Sequence, residues 1–361
     1  MTPIYLTPGP TALHPKIEQL ASEALRTGIC SISHRSKDFE AIYRTTATAL
    51  RDLMNVPDSH NIFFLGSAHE AMERLIQGCV KESSFHFVNG AFSKRFFDIA
   101  TECGKSALKA ELPLGEGFNL DIYEIPQAAE MICLTHNETS TGVWLKEEQI
   151  NNLKRRYPDR LIAVDIVSSA PYARINYQYV DAAFFSVQKL FGLPAGLGVL
   201  IANARCIDRA ALIEASGLEI GSYHNLLHLK NFADTFQTPA TPNVLGIYLL
   251  GGVSRELVAA GGADALRAGI DQRSRMLVDF LERSEHYAPA VSDPEFRSRT
   301  VITIKVNGEV DRCRRVIQDH GLHVGSGYGE LRKSQIRIAN FSMHTDRDYE
   351  RLLEALSAAS R

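Results

Sequence analysis

Lys189 and Asp165 are the two residues whose types and setting most directly permit chemistry. Lys189 ends the run Ala182-Ala183-Phe184-Phe185-Ser186-Val187-Gln188 and opens the loop Leu190-Phe191-Gly192-Leu193-Pro194-Ala195-Gly196. An amine delivered by a buried strand to the mouth of a loop loses hydration. Its pKa falls, and its lone pair is freed to attack a carbonyl. Asp165 closes a second apolar run, Leu161-Ile162-Ala163-Val164, and lies 24 residues before Lys189. A carboxylate at the end of a buried strand is costly unless it meets a positive partner.

Two arrangements satisfy both groups. One is a direct salt bridge. The other is a cofactor lying between them, as in the pyridoxal phosphate arrangement, where the lysine forms a Schiff base with the aldehyde and the carboxylate keeps the ring nitrogen protonated. Four further segments bear on this choice. Gly66-Ser67-Ala68-His69 falls where a strand turns into a helix, and amides at a helix N-terminus bind anions, although most such turns merely cap helices. The turn lacks the Gly-x-Gly-x-x-Gly spacing of a dinucleotide site. Phe92 sits in the next strand-to-helix loop and is either a core aromatic or a ring that stacks on a cofactor face. Thr139, in Asn137-Glu138-Thr139, either caps a turn or reaches a cofactor oxygen. Arg337 interrupts the apolar strand Gln335-Ile336-Arg337-Ile338-Ala339, so its charge needs an internal salt bridge or a ligand carboxylate. His34-Arg35 lies in a polar loop ahead of a helix.

The elements that must position these residues are strands over 61–65, 85–88, 130–135, 161–164, 182–185 and 198–202, alternating with helices over 68–80, 93–103 and 147–156. Near-continuous apolar strands alternating with helices predict an α/β fold whose mostly parallel sheet is covered on both faces. Ligands of such sheets gather at the carboxyl ends of the strands, where Gly66, Asn137, Asp165 and Lys189 fall. After Thr238 the pattern changes to helices over 244–260 and 263–284, then a compact α/β unit. We expect a segment 1–20 packed with the small domain, a large domain over 21–255 and a smaller C-terminal domain over 256–361. The 361 residues carry a net charge of −3, which gives no electrostatic footprint for nucleic acid or an anionic membrane. No apolar run reaches membrane-spanning length, and 1–5 do not read as a signal peptide. Six cysteines are scattered singly, which argues against a zinc ribbon or disulfide framework, predicts no metal site, and fits a cytoplasmic protein.

Asn137-Glu138-Thr139-x-x-Gly142, Asp165-x-x-Ser168, Gln188-Lys189 followed by Pro194-Ala195-Gly196, and Ser33-His34-Arg35-Ser36-Lys37-Asp38-Phe39 occur in one order along the chain. Together they resemble the phosphoserine aminotransferases of the class V, fold type I pyridoxal phosphate enzymes. The resemblance implies a seven-stranded-type large-domain sheet and pyridoxal 5'-phosphate as cofactor. It also implies ping-pong transamination between phosphoserine and 2-oxoglutarate, a step of serine biosynthesis. By it, Lys189 is the Schiff-base lysine and Asp165 pairs with the ring nitrogen. Phe92 stacks on the ring, and Thr139 contacts its oxygen. Ala68, His69 and Gln188 hold the phosphate, and Ser168 belongs to the cofactor set. Gln237 and Thr238 reach the neighbouring subunit's site in a homodimer. His34 and Arg35 bind the substrate's distal phosphate, and Arg337 its α-carboxylate. The sequence departs from the family in having Phe92 for Trp, His69 for Arg, and no His-Arg pair ahead of Arg337. The Gly66–Glu73 and Tyr328–Arg337 stretches also resemble the alanine–glyoxylate and serine–pyruvate branch. A cysteine desulfurase-like lyase is the remaining alternative on this fold and would need a mobile, exposed cysteine; Cys313 lies instead on an amphipathic helical stretch.

Overall fold

The structure is a computed structural model that describes residues 3–360; Met1, Thr2 and Arg361, at the outer ends of the expected first and last segments, lie outside the described residues. Its larger sheet has seven strands in the order His60–Leu65, Gly198–Asn203, Ala182–Ser186, Leu161–Asp165, Met131–Thr135, Ser83–Val88 and Ser106–Glu111. Gly198–Asn203 runs antiparallel to both neighbours, and the remaining pairings are parallel. The unbroken hydrophobicity of the central strands has a direct cause. Along Leu161–Asp165, Ile162 and Val164 enter one core with Ile132, Leu134, Ala183 and Phe185. Leu161 and Ala163 enter a second core with Met131, Cys133, Ala182 and Phe184. Successive side chains point to opposite faces, and both faces are covered by helices.

Ser106–Glu111 has no place among the strands expected from the sequence. It is an edge strand of half-exposed and exposed residues with Lys109 and Glu111 in it, and a strand paired on one side needs no apolar run.

The antiparallel strand begins beside the turn after His60–Leu65. Gly198 pairs with both Leu65 and Ser186, and a Cβ there would lie 2.4 Å from the Ser67 carbonyl carbon. Backbone cannot yield as a side-chain tip can. Gly198→Ala is therefore expected to cost about 1–3 kcal/mol and to displace the Ser67–His69 turn; urea unfolding measures the first effect and cofactor affinity the second.

The second sheet has five strands in the order Ile4–Leu6, Leu322–Ser326, Gln335–Ala339, Val301–Val306 and Tyr287–Pro289. Its core is built from Leu6, Leu281, Ile304, Ile336, Tyr349 and Leu352, among others. The chain's first strand thus completes a sheet otherwise made from its last third. Helix Val244–Ala259 buries Val244, Ile247, Leu250 and Val253 against the large domain, where the Thr46 hydroxyl donates to the Ile247 carbonyl at 3.0 Å. After an 80° bend, helix Gly262–Glu282 leads to the small sheet. No single helix among the described residues is long and apolar enough to cross a membrane. The bonds that seat the small unit on loops at the strand ends of the large one include Thr300 Oγ1 to the Ser168 carbonyl at 2.6 Å, Thr303 Oγ1 to the Thr141 carbonyl at 2.9 Å, and Arg337 Nη1 to the Thr139 carbonyl at 3.0 Å.

Candidate active site

At that junction lies a cavity of about 390 Å³ whose walls include Ala68, His69, Phe92, Thr139, Gln188, Lys189 and Arg337. The parallel sheet brings them together because each follows the carboxyl end of a strand, except Arg337, which the small sheet contributes. Lys189 lies three residues past Ala182–Ser186, with its Nζ donating to Thr139 Oγ1 at 3.0 Å and standing 5.3 Å from the centre of the Phe92 ring. Its stem runs against Gly9, where an added Cβ would sit 3.0 Å from Lys189 Cε and φ is +123°. A side chain at position 9 would strain the backbone and crowd the amine's approach.

Burial pulls the Lys189 amine down to about 8; Arg337 acts in the same direction, while Asp165 and Glu138 oppose it. Asp165 is the last residue of its strand and is buried. Burial pushes its carboxyl up to about 7, Glu138 adds to the rise, and the Val167 amide, bonded to Oδ1 at 2.8 Å, and Lys189 act against it. No ion pair within 4.0 Å joins Asp165 to Lys189 among the described residues. The direct salt bridge is not formed: Lys189 lines the cavity, whereas Asp165 is buried and off its wall, with Val167 the nearest lining residue along its own segment.

The Ser67–His69 turn is organised by Ser186, a strand-end serine with no distinguishing mark in the sequence. Ser186 Oγ accepts from the Ala68 amide at 2.9 Å, and Ser67 Oγ accepts from the Glu70 amide at 3.2 Å. The His69 imidazole is held below its ordinary pKa by burial and by Arg95, so it is neutral near pH 7. Arg337 meets no carboxylate among the described residues: its Nε donates to the Ser326 carbonyl at 2.8 Å and its Nη1 to the Thr139 carbonyl, and its guanidinium stands 5.4 Å from the Tyr328 ring centre. Two carbonyls and a ring orient the fork without neutralising it. Thr7, Pro8, Val167, Ser186, Ser326 and Tyr328 also line the cavity. Small, apolar and hydroxyl residues carry no distinguishing signal in a sequence, and Tyr328 lies between Gly327 and Gly329 with no pattern to mark it.

The other expected site residues lie elsewhere. Ser168 is fully buried and off the cavity wall: its hydroxyl donates to the Asn137 carbonyl at 2.8 Å and accepts from Asn137 Nδ2 at 2.7 Å, joining two loops. His34, Arg35, Gln237 and Thr238 form a separate surface cluster in which Arg35 Nη1 donates to Gln237 Oε1 at 3.0 Å and to the Thr238 carbonyl at 2.7 Å, and His34 Nδ1 stands 3.4 Å from Thr241 Oγ1. None of the four lines this chain's own cavity. Cys313 is buried beside the Tyr287 hydroxyl at 3.6 Å, and burial pushes its thiol up; no cysteine lines the cavity among the described residues.

The donor set suits a phosphorylated pyridine aldehyde: an amine of lowered pKa, an aromatic ring beside it, a helix N-terminus at a Ser-Ala-His turn and, buried two residues before the wall residue Val167, the Asp165 carboxylate. These features define a transaminase of the pyridoxal phosphate type. The aminotransferase class-V family profile matches residues 7–330, and the chain belongs to that family. It is similar to the phosphoserine aminotransferase of Cytophaga hutchinsonii, with 41% identity and a TM-score of 0.97 over 99% of this chain and 98% of that one. The phosphoserine aminotransferase of Rhodococcus opacus is 26% identical over 352 residues, which is 96% of this chain and 92% of the relative. The alanine–glyoxylate aminotransferase of Nostoc sp., 23% identical with a TM-score of 0.85 over 100% of this chain and 96% of that one, shares the fold. The protein is a pyridoxal phosphate-dependent class V aminotransferase.

Proposed function

We propose that the protein exchanges the amino group of L-phosphoserine with 2-oxoglutarate in two half-reactions at the Lys189 cavity. The observation that carries this reading is Arg337, a half-buried guanidinium oriented by two carbonyls at the Lys189 cavity and without a carboxylate partner among the described residues. A fork so held suits the α-carboxylate that phosphoserine and 2-oxoglutarate have in common. Pyridoxal phosphate, when bound, supplies an aldehyde for amine exchange and a ring that draws electrons from the substrate's Cα. Asp165 would hold a proton on the ring nitrogen, Phe92 would cover a ring face, and Ala68, His69 and Gln188 would surround the phosphate. The Lys189 amine, with a pKa of about 8, is balanced between its two forms near pH 8 and keeps about a tenth in the neutral form at pH 7. It suits a group that both attacks a carbonyl and carries a proton from Cα.

The phosphorylated donor is supported by the 41% identity to a phosphoserine aminotransferase and by Arg35, which has carbonyl and amide acceptors and, among the described residues, no carboxylate within 4.0 Å. Since the His34–Arg35 cluster is remote from this chain's cavity, it serves the cavity of a second copy, with Gln237 and Thr238 beside it. L-Phosphoserine added to the loaded enzyme should replace the visible absorption of the aldehyde form with that of the amine form, while L-alanine should do so poorly. The reverse pattern assigns the protein to the alanine–glyoxylate branch, for which the uncharged His69 in place of arginine is the supporting feature.

Arg35→Ala is expected to raise KM for phosphoserine about 10- to 100-fold, the worth of a charge-assisted contact. Mixing refolded Arg35→Ala and Lys189→Ala subunits should restore activity above the sum of the two, because one mixed site then has both residues. No recovery on mixing argues against a shared site.

A further inference from the structure

We propose that Glu138 is a positioning residue of this site: its buried carboxylate locks together the segment that carries Phe92 and the segment that carries Thr139. Glu138 is fully buried. Its Oε2 accepts from the Phe92 amide at 3.1 Å, the Ser93 amide at 2.8 Å and the Ser93 hydroxyl at 2.9 Å. Its Oε1 accepts from the Ser140 amide at 3.1 Å and the Ser140 hydroxyl at 2.6 Å. No cation pairs with it within 4.0 Å among the described residues; the charge is held by amides, hydroxyls and the N-terminus of helix Ala91–Glu102. Gly90 makes the approach possible, because a Cβ there would meet Glu138 Cγ at 2.4 Å.

The consequence for the site is geometric. Phe92 is fixed through its own amide, and Thr139 is fixed between two residues of the same network. The Phe92 ring centre and the Thr139 hydroxyl stand 5.3 and 3.0 Å from the Lys189 amine. The Thr139 carbonyl in turn holds Arg337. One carboxylate therefore ties the aromatic cover, the amine's hydrogen-bond partner and the carboxylate fork to a common anchor. Its negative charge also acts on the amine, favouring the protonated form.

This inference rests on the assignment of the cofactor to the Lys189 cavity, and the test separates the two. Apoprotein is titrated with pyridoxal phosphate, reading the dissociation constant, the visible absorption of the lysine-bound form and the pH midpoint of that absorption, with melting temperature in parallel. Glu138→Gln keeps the shape but cannot accept from all these donors. It is expected to weaken binding about 10- to 100-fold and to move the midpoint to lower pH, because a negative charge near the amine is gone. Ser140→Ala, which keeps the charge and removes one short bond, should weaken binding less and leave the midpoint in place. A role confined to capping the helix would lower the melting temperature alone. Dissociation constants within twofold of wild type for both variants, with an unmoved midpoint for Glu138→Gln, overturn the proposal. If wild-type protein gave no lysine-bound absorption, or Lys189→Ala retained it, the cofactor assignment itself would fail.

Discussion

Lys189→Ala is expected to lower turnover by at least about 10⁴-fold and to abolish the absorption of the lysine-bound cofactor. The expectation follows from the amine's surroundings rather than from its presence alone. A solvated lysine is almost entirely protonated at neutral pH and has no lone pair to offer, whereas burial brings this one down to about 8. Thr139 Oγ1, at 3.0 Å, fixes where the nitrogen stands, and Gly9 leaves the stem its path. Lys189→Arg makes a sharper control than alanine, since a guanidinium keeps charge and length but cannot deprotonate in a protein; it should be equally inactive. The alanine loss is not one of unfolding. A lysine whose folded pKa lies below its ordinary 10.5 weakens the fold below about pH 8, so removing it relieves a cost of up to about 3 kcal/mol at neutral pH. An alanine protein that stayed folded and turned over at the wild-type rate would remove Lys189 from the reaction.

How far such a site can be read from sequence depends on what each residue needs from its neighbours. Lys189 and Asp165 are readable because a strand that delivers a charge to its carboxyl end looks wrong as pure core: the violated pattern is itself the signal. Arg337 is readable for the same reason, and of its two readings the internal salt bridge is not formed among the described residues, where carbonyls take its hydrogen bonds. Ser168 shows the limit. It shares a motif with Asp165, yet its hydroxyl serves the Asn137 loop and not the cavity, and nothing in residue type separates these uses. Ser186 is the converse case, a strand-end serine whose value appears only when Ala68 folds onto it. Glu138 was visible as part of a motif, but its role depends on a Gly90 that lets two loops touch. The sheet was readable where both faces are buried and unreadable at Ser106–Glu111, where the single paired edge imposes no pattern.

Asp165→Asn is expected to separate the cofactor's contribution to stability from its contribution to chemistry. Turnover should fall about 10²- to 10⁴-fold, because an amide cannot hold a proton on a ring nitrogen, although its oxygen still accepts from the Val167 amide. The apoprotein should behave oppositely. Burial raises the Asp165 carboxyl from 3.8 to about 7, so between these values the folded chain holds a proton that the unfolded chain has released. Stability contributed by this group is complete below about pH 4 and is lost as pH rises to about 7, a span equivalent to about 4 kcal/mol. Asparagine has no such proton to lose. The difference in unfolding free energy between variant and wild-type apoprotein should therefore move in the variant's favour between about pH 4 and about pH 8, measured by urea unfolding at several pH values. Part of the gain returns through Lys189, since loss of the Asp165 charge removes the largest influence holding its pKa up. Loading wild-type protein with pyridoxal phosphate should cancel the same penalty, because a ring cation then meets the carboxylate, and the loaded variant should gain less. If the two apoproteins instead ran parallel across the whole window, the Asp165 carboxylate would be ionised at no cost in the empty cavity, and relief of its burial could not be what draws the cofactor's ring into place.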